Sequence, residues 1–296
     1  MENAPVPVSN MRGRANFKLI KDGLLDSTEG LSRRINEIKK KNDLTQLWYR
    51  GHSDAGKHRL VPSIGRQHKY GGKSVDGFDP KQERNLLHRF RRRAYPYVGR
   101  ILNEWEALFL ARHHELPTRI LDWTASPLVA LYFACSENLD KPAKVWGIAR
   151  ILCERYDLDI LKLATSKHRR DSPFILYGEP EQAKSGSETE DAVKILHPFY
   201  NSPRIIAQSG VFTFHSNPKL CLDSYEGKLF RRERLDIQCL IRWDIEAGKK
   251  NRIIKELENV GINRRTVFPD LDGLARGLWE SEVLWNGSDR TIAGGE

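Results

Sequence analysis

No stretch of this chain approaches the ~18 consecutive apolar residues of a membrane-spanning helix. The first residues, broken by Pro5 and Pro7, lack the apolar centre of a secretion signal. No membrane association is therefore expected. Cysteine is scarce: Cys135, Cys153, Cys221 and Cys239 are the whole complement, and none forms a Cys-x-x-Cys pair. That spacing argues against zinc and makes a reducing, cytoplasmic setting the default. Internal repeats are absent. Acid is short relative to base, with 49 Lys and Arg against 39 Asp and Glu, a net charge of +10. Such an excess favours an anionic partner, although a merely soluble basic surface has the same composition.

The most informative stretch runs from Arg112 to Ala134. A polar part carries Arg119, Asp122, Thr124 and Ser126 and reads as a turn. Ser126 suits the N-cap of a helix and Pro127 its first position. Leu128, Val129, Ala130, Leu131, Tyr132, Phe133 and Ala134 then follow, apolar on every face, which predicts a buried helix. Its N-terminus, opening from a polar loop, suits an anionic group. Ser126 as a simple cap and Asp122 as a simple turn former are the plainer alternatives.

Elsewhere the signals are mixed. Residues 1–16 read as a loose arm. Leu31, Ile35 and Ile38 have helical spacing, with Lys39, Lys40 and Lys41 at the favourable end. Residues 47–51 read as a strand ending at Gly51, and 65–80 as a flexible loop. Asp79 and Pro80 open a helix whose apolar stripe is Leu86, Leu87, Phe90 and Ala94. Its other face carries Lys81, Arg84, Arg89, Arg91, Arg92 and Arg93 against the single acid Glu83. The next helix starts near Asn103 and ends by Leu116 and Pro117. Strands are expected at 144–152, 205–214 and 235–241, a long mobile segment at 165–191, a helix at 253–260 ended by Gly261, and a last helix after Pro269. No regular alternation of strand and helix appears, so the fold class expected is α+β. The domain division is an arm at 1–16, one domain at 17–285 and a tail at 286–296.

Several residues suit binding chemistry. Arg50 and Gly51 stand at a strand end. A guanidinium grips phosphate or carboxylate with two parallel hydrogen bonds, and glycine lets a ligand amide come close to the backbone. His52 and Ser53 add polar groups there. An arginine paired to a carboxylate beside a glycine turn is the alternative. Gln208, before the apolar residues Val211, Phe212 and Phe214, can donate and accept. His113, His114 and Asp122 invite a metal-hydrolase reading. Adjacent helical residues do not share a face, however, and no third ligand has a recognised spacing, so no metal is assigned. The arginine-rich helix, with Tyr95 and Tyr97 for stacking, suits nucleic acid through Arg84, Arg89, Arg91, Arg92 and Arg93. Arg231, Arg232 and Arg234 form a second cluster. A solvated charged face is the plain alternative.

Four segments together resemble the FRG domain, a bacterial family named for its aromatic-Arg-Gly motif. They are Trp48 to Gly51; Leu116 to Leu128 with Ala130 and Phe133; Arg204 with Gln208 to Phe212; and Val267 to Gly273. The resemblance covers roughly residues 30 to 280. Arg112, His113, His114 and Glu115 stand where the family shows Gln-His-aromatic-Gly. The motif order is in turn similar to the arginine-serine-glutamate class of ADP-ribosyltransferases. That likeness implies a split β-sheet core with added helices, and NAD as the substrate cofactor. It implies that Arg50, Gly51, His52, Thr124, Ser126 and Phe133 bind NAD, with Arg50, Thr124 and Gln208 catalytic. Gln208 is neutral and residues 205–214 hold no glutamate. Asp122, Glu179, Glu181, Glu188 and Glu190 are candidate carboxylates, and the sequence does not choose among them. Transfer of ADP-ribose to a macromolecule, RNA before protein, is the expected activity, and a non-enzymatic RNA-binding module is the alternative. Family habit further implies a bacterial toxin or phage-defence role and an antitoxin partner.

Overall fold

The computed structural model describes residues 18–44, 46–75, 77, 80–150, 193–198, 202–224 and 237–289. The arm at 1–16, the segment at 165–191, Cys153 and the Arg231, Arg232, Arg234 cluster lie outside them.

In chain order the elements are β1 (Lys18–Leu25), α1 (Thr28–Asn42), β2 (Leu47–His52), β3 (His68–Tyr70), β4 (Lys73–Val75), α2 (Pro80–Val98), α3 (Glu104–His113), β5 (Ile120–Thr124), α4 (Pro127–Cys135), β6 (Ala143–Arg150), β7 (Val193–Leu196), α5 (Pro203–Ala207), β8 (Gly210–His215), β9 (Ile237–Ile245), α6 (Lys250–Asn259), α7 (Arg264–Val267) and α8 (Leu271–Asp289). Seven strands form one sheet in the order β1-β9-β6-β2-β5-β8-β7, and β3 pairs with β4 as a separate hairpin. The fold is therefore mixed α+β.

Two features of the sheet position the site. Strand β2 pairs with β6 at six positions but with β5 only through Tyr49 and Thr124. Beyond that pair the two central strands separate, and the sheet is nearly divided there. The two halves are also covered differently. Helices α1, α4 and α6 pack over β1, β9, β6 and β2, burying Leu31, Ile35, Leu131, Trp243, Ile253 and Leu257. Helices α2 and α3 cover the other half through Leu87, Trp105, Leu108, Phe109, Phe212 and Phe214.

Helix α4 follows its sequence closely. The Ser126 hydroxyl accepts a hydrogen bond from the Val129 amide, Pro127 holds the first helical position, and six of its nine residues are buried. Several expectations differ from the structure. Residues 120–124 are a strand and not a turn, since Ile120, Leu121 and Trp123 gain more from the sheet than from exposure. The loop expected at 65–80 contains the β3–β4 hairpin, turned at Gly71 and Gly72, both with positive φ. The strand expected at 205–214 begins only at Gly210; a turn of helix, Pro203–Ala207, precedes it. Glu83, read as a surface acid, is 2% exposed. It binds the Arg119 side chain at 2.6 Å and the Arg119 amide at 2.9 Å, tying α2 to the start of β5. The buried Lys250 ammonium donates to the carbonyls of Ser53, Glu137 and Asn138 at 2.7–2.9 Å and ties the start of α6 to the chain just after β2 and α4.

Candidate functional site

A cavity of about 250 Å³ opens where β2 and β5 part. Its apolar walls are Tyr49, Phe109, Trp123, Phe133, Ile205 and Phe212. Its polar lining is Arg50, Arg112, His113, Glu115, Asp122, Thr124, Arg204 and Gln208, with Gly51 and Gly210 completing the wall. Three guanidinium groups thus face two carboxylates.

The alternation of β2 decides what reaches this space. Tyr49 and Gly51 share one face, Arg50 and His52 the other. Gly51 lies under α4. A Cβ there would stand 2.0 Å from the Ala130 carbonyl oxygen and 2.5 Å from the Ala134 amide nitrogen. The absent side chain admits the helix backbone, which leaves only part of the glycine's surface to the cavity. Arg50 is long enough to turn into the gap between the strands. One of its terminal nitrogens donates to the Asp122 carbonyl and lies 3.6 Å from the Asp122 carboxylate.

Asp122 is the electrostatic centre. Arg112 approaches its carboxylate in fork geometry, with Nε 2.9 Å and 3.0 Å from the two oxygens and a further contact from Nη2. Burial alone pushes this carboxyl up. The Arg112 charge and hydrogen bonds, with the Arg50 charge, outweigh burial and bring it down to about 2. Burial likewise lowers Arg50 to about 10, offset in part by Asp122, so the guanidinium remains charged at neutral pH. The resulting triad carries one net positive charge.

The hydroxyl and amide expected at the site meet there in a particular way. The Thr124 hydroxyl donates to the Gln208 carbonyl at 2.6 Å and accepts from the Ser126 amide at 3.0 Å. It clamps the α5–β8 turn to the end of β5. Gln208 caps α5, and its side-chain amide donates to the Val267 carbonyl at 3.2 Å. Phe133 lines the cavity and meets Phe268 edge-on at 5.8 Å. Arg204 stacks over the Phe268 ring at 4.6 Å, and Arg264 lies 4.9 Å from the same ring.

Two expected residues stand elsewhere. His52 is 3% exposed and does not line the cavity. Its ring lies on the Arg50 face of β2 but against β6, with Arg50 Nε and Trp146 Nε1 within 3.2 Å of its two nitrogens. Burial first, then the Arg50 charge, holds this imidazole well below its usual pKa. Ser126 spends its side chain on the α4 cap and is also absent from the lining.

On α2, Arg89, Arg92 and Arg93 are exposed, whereas Arg84 and Arg91 are half-buried. Arg91 donates twice to the Leu102 carbonyl, at 3.0 Å and 2.6 Å, and joins α2 to the loop before α3. Sequence reasoning named Phe133 but missed Arg112, Glu115 and the rest of the aromatic wall, Tyr49, Phe109, Trp123 and Phe212, as site residues. Arg112 lies at the end of one helix and Asp122 in the following strand, so only the fold shows them as a pair. Among the described residues, no three His, Cys, Asp or Glu side chains gather as a metal site would require.

The family model of the FRG domain matches residues 45–143. The match takes in the Arg50 strand, the Arg112–Asp122 pair and α4, and it supports the FRG family for this chain. No curated protein matches the chain, and no solved structure matches it. No helix among the described residues is long and apolar enough to cross a membrane.

Proposed function

We propose that the chain is an NAD-dependent ADP-ribosyltransferase acting on a macromolecule, RNA in preference to protein. The observation that carries this reading is that Arg50, Thr124 and Gln208, from three separated stretches, line one cavity. The nearly divided sheet around that cavity accords with the split core of the transferase class. The lining suits the ligand. Flat aromatic walls accept a nicotinamide ring, and Arg50, Arg112 and Arg204 offer positive charge to a pyrophosphate. The enclosed volume is below the roughly 300 Å³ at which small-molecule pockets begin. A volume of that size suits the nicotinamide end of NAD and not the whole dinucleotide.

In this reading Gln208 works by hydrogen bonding alone. Its amide nitrogen is held by the Val267 carbonyl, which leaves Oε1 to accept from a ribose hydroxyl. Thr124 is a positioning residue: its hydroxyl holds the Gln208 backbone and so fixes that amide against β5. Pre-set geometry of this kind lowers the barrier to cleavage at the ribose carbon. Toxicity, phage defence and an antitoxin partner belong to the same proposal and rest on family resemblance.

The test is incubation of the full chain with NAD labelled in its adenylate half, together with RNA or protein acceptors. Labelled RNA is expected. Arg50→Lys, which keeps the charge but loses the fork, should cut labelling at least tenfold while the chain stays folded. Absence of label on either acceptor overturns the proposal. Retained RNA binding in that case favours a non-enzymatic module. The exposed Arg89, Arg92 and Arg93 on one helix, beside Tyr97 at 91% exposure, are the observation behind that second reading.

A further inference from the structure

Cleavage of NAD builds positive charge on a ribose, and the incoming nucleophile must lose a proton. Both needs call for a carboxylate. Asp122 is already committed, because Arg112 holds both of its oxygens and Arg50 closes on it from the other side. The second carboxylate lining the cavity is that of Glu115. It is exposed, and among the described residues its side chain has no hydrogen bond or ion pair.

Its backbone is unusual. Glu115 has φ of +61°, in the left-handed region that strains most side chains. The Glu115 amide bonds to the Arg112 carbonyl at 3.1 Å, and the Leu116 amide bonds to the Ala111 carbonyl at 2.9 Å. That pair of bonds is the helix-ending turn whose left-handed position glycine usually fills. A glutamate here costs stability and caps nothing, yet it stands at the edge of the cavity beside Arg112 and His113. Strain kept at a cavity edge points to use of the side chain.

We propose that Glu115 supplies the carboxylate of the transfer reaction. This rests on the reading of the cavity as an ADP-ribosyltransferase site. The bond between nicotinamide nitrogen and ribose C1′ breaks, and its electron pair leaves with neutral nicotinamide. The acceptor oxygen or nitrogen forms the new bond to C1′, and its proton passes to the Glu115 carboxylate. The ionised carboxylate also offsets the positive charge that builds on the ribose before the new bond is complete.

Three variants of the full chain test this: Glu115→Gln, Glu115→Asp and Glu115→Gly. Transfer from adenylate-labelled NAD, binding of NAD by calorimetry and the unfolding midpoint are measured on each. Glu115→Gln is expected to lower kcat at least a hundredfold and leave the Kd for NAD within about threefold. Glu115→Asp should restore part of that rate. Glu115→Gly should be as inactive as Glu115→Gln yet melt about 2–4 °C higher, because glycine adopts this backbone freely. Wild-type rates in the glutamine and glycine variants, with Arg50→Lys still impaired, overturn the role of Glu115 and leave the transferase reading standing. A wild-type chain that neither binds nor consumes NAD overturns both.

Discussion

His215 is wholly buried on β8, with Nε2 3.0 Å from the Thr213 hydroxyl, which itself accepts from the Trp123 indole. Burial, with the Arg119 and Arg50 charges, lowers this imidazole to about 3. In the unfolded chain it titrates near 6.5. Its folded pKa is depressed, so its contribution to stability is complete above about 6.5 and is lost as pH falls from there toward 3. The loss is about 1.4 kcal/mol per pH unit in that window. His52, lowered in the same direction, adds to the slope. Asp122, held at about 2, extends it through the carboxylate range below about 3.9. Unfolding free energies measured by denaturant at pH 7, 6 and 5 should therefore fall steeply. In His215→Gln the fall should be shallower by about 1.4 kcal/mol per unit. Equal slopes in the two proteins would show that His215 is not buried neutral.

Helix α4 lies against β2 so closely that Gly51 is a contact between elements and not merely a strand end. Gly51→Ala should push the helix off the strand, at a cost of about 3 kcal/mol, and distort the cavity wall that carries Phe133. An alanine variant with wild-type stability in denaturant titration would show that α4 has room to spare. The helix itself was legible in the sequence, because Ser126, Pro127 and the apolar run that follows are local signals. The purpose of Gly51 was not. Its neighbour is the backbone of Ala130, nearly eighty residues on, and glycine next to arginine reads equally well as a ligand site. His52 shares its strand face with Arg50, which makes it a natural cavity residue from the sequence, but its ring is taken up by Trp146 and the Arg50 Nε while only the end of the arginine reaches on to Asp122. The helical turn at Pro203–Ala207 was hidden because Ile205, Ile206 and Val211 also suit a strand. The convergence of Arg50, Thr124 and Gln208 could be expected only from motif resemblance, since the first and last lie 158 positions apart.

Across the whole molecule, the charge of +10 is not spread evenly in use. Arg112 and Arg119 are taken up by Asp122 and Glu83 inside the fold, and Arg91 is bound to the α2–α3 connection. Arg89, Arg92 and Arg93 remain on the surface of α2. If single-stranded RNA tracks this helix, replacing the three by glutamine should weaken binding. The slope of log K against log salt should flatten by about 2, at roughly 0.7 per phosphate contact. Filter binding between 50 and 200 mM salt measures this. An unchanged slope would move the contact surface elsewhere.

The Phe268 ring sits between two guanidinium groups and touches Phe133, well outside the stretch that matches the FRG family. The Phe133 wall of the hollow is thus backed by a part of the polypeptide that the family match leaves out. Cutting a minimal piece at residue 143 would discard Arg204, Gln208 and this aromatic backstop together. What remained would keep the motif and lose the container.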